Sequence, residues 1–247
     1  MGSALVTQRV AESALFGHAI AAADVSADAD VEAAIVVARS TAVNLLVVRV
    51  PVDATSVIHR LERAGATLCD TLLTLQHDPI AAGATAVGTR AEIRMAVSSD
   101  CDALHALSLQ AFADFHGHWH NDNRLTASAS TRLYAQWAAD LARSASESRP
   151  LILALDAHGA IAGFLALAQQ RPGDWCVPLA AVAPPSRGRG LLRALLRQAV
   201  EVAERDRLDS FHYETQLSNL PAIRVVSQNG FVPHSSRHTF HLWISAR

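Results

Sequence analysis

Between residues 175 and 205 the chain passes from an apolar run, through a turn holding two glycines, into a helical pattern, and few backbone arrangements satisfy that order. Residues 175–183 (WCVPLAAVA) are apolar enough for a buried strand, Pro184 and Pro185 end it, and Leu191, Leu192, Leu195, Leu196 and Val200 recur at helical spacing. Strand, turn and helix N-terminus are therefore expected in direct succession. Gly188 and Gly190 leave the backbone N–H groups of the turn open to a ligand. The first helical turn aims unpaired donors and a partial positive charge at the same point. With Arg187 and Arg189 adding formal charge, the segment reads as a phosphate cradle in an α/β fold.

Spacing separates the kinds of cradle. A P-loop needs GxxxxGK[ST], and no Gly-Lys pair with a following hydroxyl occurs. The dinucleotide fingerprint GxGxxG would place its third glycine at Arg193. What remains is V-x-P followed by [QR]-x-x-G-x-[GA], carried by Val182, Pro184, Arg187, Gly188, Arg189 and Gly190. These residues resemble motif A of the GNAT superfamily of acyl-CoA N-acyltransferases. The last small residue of that motif is Leu192 here, which bears on how closely a pyrophosphate packs against the helix start.

The remaining pattern is α/β in two parts. Residues 45–50 and 68–76 read as strands around a helix at 54–64, and 77–90 is rich in Gly, Ala and Thr. This predicts a small N-terminal α/β domain over 1–80, a linker at 81–90 and a second domain over 91–247. In the second, a strand at 92–97 leads to Asp100 as a helix N-cap, a helix to Phe115, a polar loop at 116–124 and a helix at 127–143. Strands follow at 151–156, 160–168 and 175–183, then the motif helix, a strand at 211–216, a helix at 220–228 and a strand at 238–245. That is the GNAT order, so the resemblance implies a GNAT fold. Its central sheet is mixed, mostly antiparallel and splayed at strands 4 and 5, beside the smaller N-terminal half-domain. Aligning Gly65 with Gly230 superposes 46–76 on 211–241, pairing Val48 with Tyr213 and Ile58 with Ile223, so the first part resembles a half-sized GNAT copy without the arginine and glycine turn.

Composition narrows the partners. A chain of 247 residues, 50% hydrophobic and with a formal net charge of −2, can bury a large core and offers no electrostatic case for nucleic acid or an anionic membrane. No apolar run approaches the roughly 20 residues of a membrane span. Cys69, Cys101 and Cys176 are odd in number and far apart, as expected of reduced thiols in a cytoplasmic protein. Assembly as a homodimer stays open.

The resemblance also assigns roles. It implies acetyl-CoA as co-substrate and no metal, with Ala181, Val182 and Ala183 along the thioester arm, Arg187, Gly188, Arg189, Gly190, Leu191 and Leu192 around the pyrophosphate, and Asn219 facing the pantetheine. Asn219, Ala222, Gly230 and Phe231 fit the N-x-x-A and closing G-F of that superfamily, and equally fit a helix cap, a packing alanine, a helix-ending glycine and a core aromatic. The segment RLYAQW at 132–137, TQLSN and the terminal TFHLW are similar to nucleotide-sugar acetyltransferases that act on dTDP-4-amino-4,6-dideoxygalactose. This implies a small-molecule amine acceptor walled by the segment that follows the first core helix. His118, Asp122, Arg124 and Tyr134 are the candidate acceptor-binding residues, although Tyr134 and Trp137 at i, i+3 also suit a core face. His120 and Glu214 are the candidate bases for the amine. His116, His118, His120 and Asp122 include metal-ligand types, but no cysteine or HExxH pattern accompanies them. Val226 occupies the position where the resemblance implies a tyrosine acid, so the thiolate is expected to leave with help from another residue or water. Two other functions stay open: an acyl-CoA-binding module without transfer, and a transferase for an amino acid, antibiotic or protein amine.

Overall fold

The computed structural model describes residues 6–79 and 91–244. The expected linker at 81–90 lies outside the described residues. In chain order the elements are β1 (Thr7–Gln8), α1 (Val10–Phe16), β2 (Ile20–Asp24), α2 (Asp28–Ser40), β3 (Leu45–Pro51), α3 (Thr55–Arg63) and β4 (Thr67–His77). Then come β5 (Glu92–Met95), α4 (Cys101–Ala111), α5 (His118–Asn121), α6 (Ala127–Arg143), β6 (Leu151–Leu155), β7 (Ile161–Ala166), β8 (Ala168–Arg171) and β9 (Asp174–Val177). The chain closes with β10 (Ala180–Val182), α7 (Leu191–Arg205), β11 (Ser210–Gln216), α8 (Leu220–Ser227) and β12 (Phe231–Trp243).

These elements make two units that are not consecutive in sequence. One holds residues 6–72, 116–130 and 235–244, the other 73–79, 91–115 and 131–234. This differs from a split at 81–90, and the cause is strand pairing. In the first unit β3 pairs in parallel with β2 and antiparallel with the end of β12, from Pro51 opposite Arg237 to Leu45 opposite Trp243. The end of the C-terminal strand thus lies beside β3 in the N-terminal sheet. The anticipated repeat is kept in the element starts: the offset from Gly65 to Gly230 (230 − 65 = 165) also carries the start of β3 at 45 to that of β11 at 210, and of α3 at 55 to that of α8 at 220. Both glycines close their helices at φ +84°. The core of this unit is mostly aliphatic, with Val31, Ile35, Leu46, Val48 and Leu61 buried together beside Phe240.

In the second unit β5, β6, β7 and β10 form an antiparallel sheet, while β9 pairs in parallel with β11 and antiparallel with β8. β6 (LILAL) is buried at every position, and β11 alternates, with Phe211, Tyr213 and Thr215 inward. α7 buries Leu191, Leu195, Leu196, Ala199, Val202 and Ala203 on one face. The expected strand at 175–183 is broken in two at Pro178, which has no N–H for the ladder. Before the break the chain pairs with β11, as far as Val177 opposite Tyr213; after it, β10 pairs with β7. This divergence is the splay expected between strands 4 and 5. The expected strand at 160–168 likewise splits at Leu167, whose N–H turns to Pro150 O at 2.8 Å. Asp100 ends a 3-10 turn instead of capping α4: its carboxylate accepts from Val97 N at 2.9 Å and pairs with Arg94 through both oxygens at 2.7 and 2.8 Å.

Candidate active site

β10 ends its sheet, pairing with β7 on one side. Leu179 O accepts from Ala166 N, and Ala183 N donates to Ala162 O, so the odd-numbered residues bond inward. By strand alternation the main-chain groups of Ala180 and Val182 face the outer edge. An extended ligand arm with amide groups can pair there, so of the three expected residues Val182 offers its N–H while Ala181 and Ala183 are committed to β7. The edge leads through Pro184–Ser186 into Gly188 at φ +75° and Gly190 at φ +79°, then into α7. A Cβ at Gly188 would meet nothing within 4 Å, so what the position demands is the left-handed backbone, and the space before it is open.

The N-terminus of α7 has no side-chain cap and no acidic residue in its first turn. Its leading N–H groups and dipole are thus available to an anion. The helix at the equivalent place in the first unit, α2, is closed: Asp30 Oδ2 turns back to accept from Ala27 N at 3.2 Å. Arg187 is used differently from the expectation. Its guanidinium donates to Val182 O at 3.3 Å and to Ala111 O, the last residue of α4, at 2.9 Å. The side chain braces the turn, leaving its main chain and the exposed Arg189 to face a ligand.

Opposite the splay, Asn219 caps α8 by accepting from Ala222 N at 3.4 Å and donates to Thr215 Oγ1 on β11 at 3.0 Å. Glu214 lies on the partly exposed face of β11, and its Oε1 accepts from Thr74 Oγ1 at 3.3 Å. Val226 is fully buried in the core, so α8 offers no acid at that position. Tyr134 is buried too, stacked on Phe112 with centroids 4.8 Å apart, which is the core role its spacing with Trp137 allowed.

The expected polar loop at 116–124 contains the one-turn helix α5 and buries Gly117, His118, Trp119 and Asp122 in the first unit. Histidine and aspartate bury here because they satisfy one another. Asp122 Oδ2 accepts from His241 Nδ1 at 2.7 Å and from Trp243 Nε1 at 2.8 Å, and its Oδ1 from Arg124 N at 3.0 Å. Burial alone would raise the Asp122 pKa, but these bonds outweigh it and hold the group at about 2. His241 Nε2 meets His118 Nδ1 at 2.9 Å. His118 is pushed well below the ordinary histidine value, by burial first and then by the neighbouring His241. His120 is lowered by burial and by His116, which keeps it neutral near pH 7. Arg124 is exposed, with its guanidinium carbon 5.4 Å from the centroid of the Trp243 ring. Cys69 Sγ lies with ligand atoms of Asp122 and His241 inside a 4.8 Å span, and burial and the two nearby aspartates push its thiol up to about 12. His241 and Trp243 were not among the expected site residues; the signal in sequence is their i, i+2 spacing on a strand, which puts both on one face.

Residues 111–231 match the model of the acetyltransferase (GNAT) family. Over 145 residues, 58% of this chain and 48% of the relative, the sequence is 25% identical to the spore coat polysaccharide biosynthesis protein SpsD of Bacillus subtilis (strain 168). The chain spans about half the length of that curated relative. Among solved structures, a GCN5-related N-acetyltransferase from Kribbella flavida aligns with a TM-score of 0.60 at 15% identity, over 90% of this chain and 80% of that one. A tandem GNAT protein from the clavulanic acid biosynthesis pathway aligns with a TM-score of 0.56 at 18% identity, over 89% of this chain and 70% of that one. At such identities the likeness establishes the fold. Among the described residues no helix is long and apolar enough to cross a membrane.

Proposed function

Because residues 111–231 make up a domain of the GNAT acetyltransferase family, we propose that the protein is an acetyl-CoA-dependent N-acetyltransferase whose acceptor is the primary amine of an amino sugar, favoured as its nucleotide conjugate. The observation that carries the donor half is the free edge of β10 running into the uncapped N-terminus of α7 through two left-handed glycines. An extended amide arm and a pyrophosphate need those two features in that order. Val182 N–H suits the arm, and the N–H groups from Gly188 to Leu192 suit the diphosphate. The acceptor half is supported by the segment at 116–124 and by the polysaccharide-biosynthesis name of the Bacillus subtilis relative.

In the reaction the amine nitrogen attacks the thioester carbonyl, a C–N bond forms, the C–S bond breaks and the thiolate leaves. The chain's tasks are to hold the thioester against β10, to take a proton from the ammonium and to exclude competing water. His120 and Glu214 are the proposed bases, the first because burial keeps its imidazole neutral. A thiolate with a pKa of about 8.5 can take its proton from water, so the buried Val226 does not forbid turnover. The same Val226 favours the second reading, a binding module that holds acyl-CoA without transfer.

Incubating the protein with acetyl-CoA and dTDP-4-amino-4,6-dideoxygalactose, beside amino acids, aminoglycosides and peptide N-termini, and following thiol release decides among them. Turnover is expected with the amino sugar nucleotide. Tight coenzyme A binding with no thiol release for any amine would replace the enzyme by the binding module, and turnover confined to another amine would overturn the acceptor.

A further inference from the structure

We propose that His241 is a positioning residue: with Asp122 and His118 it forms a buried hydrogen-bonded latch that fixes the 116–124 segment, and with it the acceptor-binding face that this segment carries. The acceptor part rests on the proposed function; the latch itself rests on geometry.

Three contacts define the chain of bonds. Asp122 Oδ2 takes bonds from His241 Nδ1 at 2.7 Å and Trp243 Nε1 at 2.8 Å, so Nδ1 carries a hydrogen. His241 Nε2 then faces His118 Nδ1 at 2.9 Å, and one proton must lie between the two nitrogens. The two ends of the latch lie on different elements. His118 opens the four-residue α5 and Asp122 follows it, and His241 and Trp243 sit two apart on β12. β4 adds two bonds from the other side: His118 N donates to Asp70 Oδ2 at 3.0 Å, and Asn121 Nδ2 to Cys69 O at 2.7 Å. A helix of one turn has no stability of its own. Its conformation is therefore set by these bonds and by the packing of Trp119 against Phe16 and His241, with ring centroids 5.2 and 5.4 Å apart.

A single side chain, His241, bonds both halves of the segment, Asp122 at its end and His118 at its start. Removing it takes one of the two donors from Asp122 Oδ2 and the ring partner from His118 Nδ1 together, which truncating Trp243 or Arg124 would not do. The segment also presents its other side chains, His120 and Arg124, from a backbone held at those two points. Loss of the latch should thus disturb acceptor recognition while leaving the donor cradle intact, since every cradle residue belongs to the second unit.

The test replaces His241 with Phe, which keeps a ring in the core but donates nothing, and follows amide hydrogen exchange, coenzyme A affinity and steady-state kinetics. Protection across 116–124 is expected to fall at least tenfold, coenzyme A affinity to stay within twofold, and the acceptor KM to rise about tenfold with a smaller change in kcat. His118→Leu cuts only the far link and should lower protection at 117–119 more than at 122–124. His118→Asn keeps a donor near the Nδ1 position and should recover part of that protection. Unchanged protection across 116–124 in His241→Phe overturns the latch, as does loss of coenzyme A affinity in step with protection, which would mark general unfolding. If the wild type acetylates no amine, the enzyme reading and the acceptor role of the latch fall together, while the exchange data still decide the latch. If it is active and the acceptor KM does not move in His241→Phe, the positioning role fails alone.

Discussion

Gly190 shows how much one residue can carry. At φ +79° it sits in the left-handed region immediately before Leu191, the first residue of α7, where a side chain costs about 1–2 kcal/mol of backbone strain. An aspartate there would also set a carboxylate among the N–H groups that suit the pyrophosphate. Gly190→Asp should weaken coenzyme A binding at least a hundredfold, whereas Gly190→Ala should lose about tenfold through strain alone. Isothermal titration of both variants measures this, and equal affinities for Asp and Ala would show that no anion sits at the helix start. The pair of glycines was legible in sequence because its information is local: turn, helix start and strand end lie within ten residues. The use of Arg187 was not legible. Its partner Ala111 O is 76 residues away, and nothing near Arg187 distinguishes a guanidinium aimed at a ligand from one aimed at a carbonyl.

At the scale of elements, that arginine joins the turn to the end of α4, whose last carbonyl would otherwise lack a partner from its own helix. A cation at a helix C-terminus is favourable for the dipole as well. Arg187→Ala should destabilise the protein by about 1 kcal/mol, the scale for losing one partly buried bond to Ala111 O and a longer exposed one to Val182 O. It should also lower coenzyme A affinity several-fold by loosening the turn. Urea denaturation beside titration calorimetry reads both, and a variant with wild-type stability would refute the brace. Elements that depend on long-range pairing were the hard ones to anticipate. β2 reads IAAAD, a weak strand signal from small side chains, and is a strand because it lies in register with β3. β12 begins at Phe231, seven residues before the expected 238, and its exposed first half looks in sequence like a loop. Pro178 stood in plain view, yet its consequence, one strand becoming two with different partners, depends on strands far away in the chain.

For the whole molecule, the end of β12 makes the first unit depend on segments from the start, middle and end of the sequence, so its stability in acid should report groups from all three. His118 is the strongest. Around it stand His241, Asp122 through His241, Arg9, Arg49, His120 and the carboxylate of Asp70 at its main-chain N–H. Burial, then the positive neighbours, hold its folded pKa well below the ordinary 6.5, so below that pH the unfolded chain binds a proton that the native state refuses. The stability that a neutral His118 contributes is complete above about 6.5 and is lost as pH falls from there toward the folded value. One such proton gives about 1.4 kcal/mol per pH unit, and His77 and His120, lowered by burial, act in the same direction. Asp122 behaves as a carboxylate held at about 2: its contribution persists until pH falls below the ordinary carboxylate range. Unfolding free energy should therefore begin to decline as pH falls below about 6.5, above the ordinary carboxylate range, with a shallower slope, by about one proton, in His118→Asn. Urea titrations at half-unit intervals measure both slopes. A flat profile there would mean that the buried imidazoles open to water without global unfolding, and it would remove His118 as the group that limits stability in mild acid.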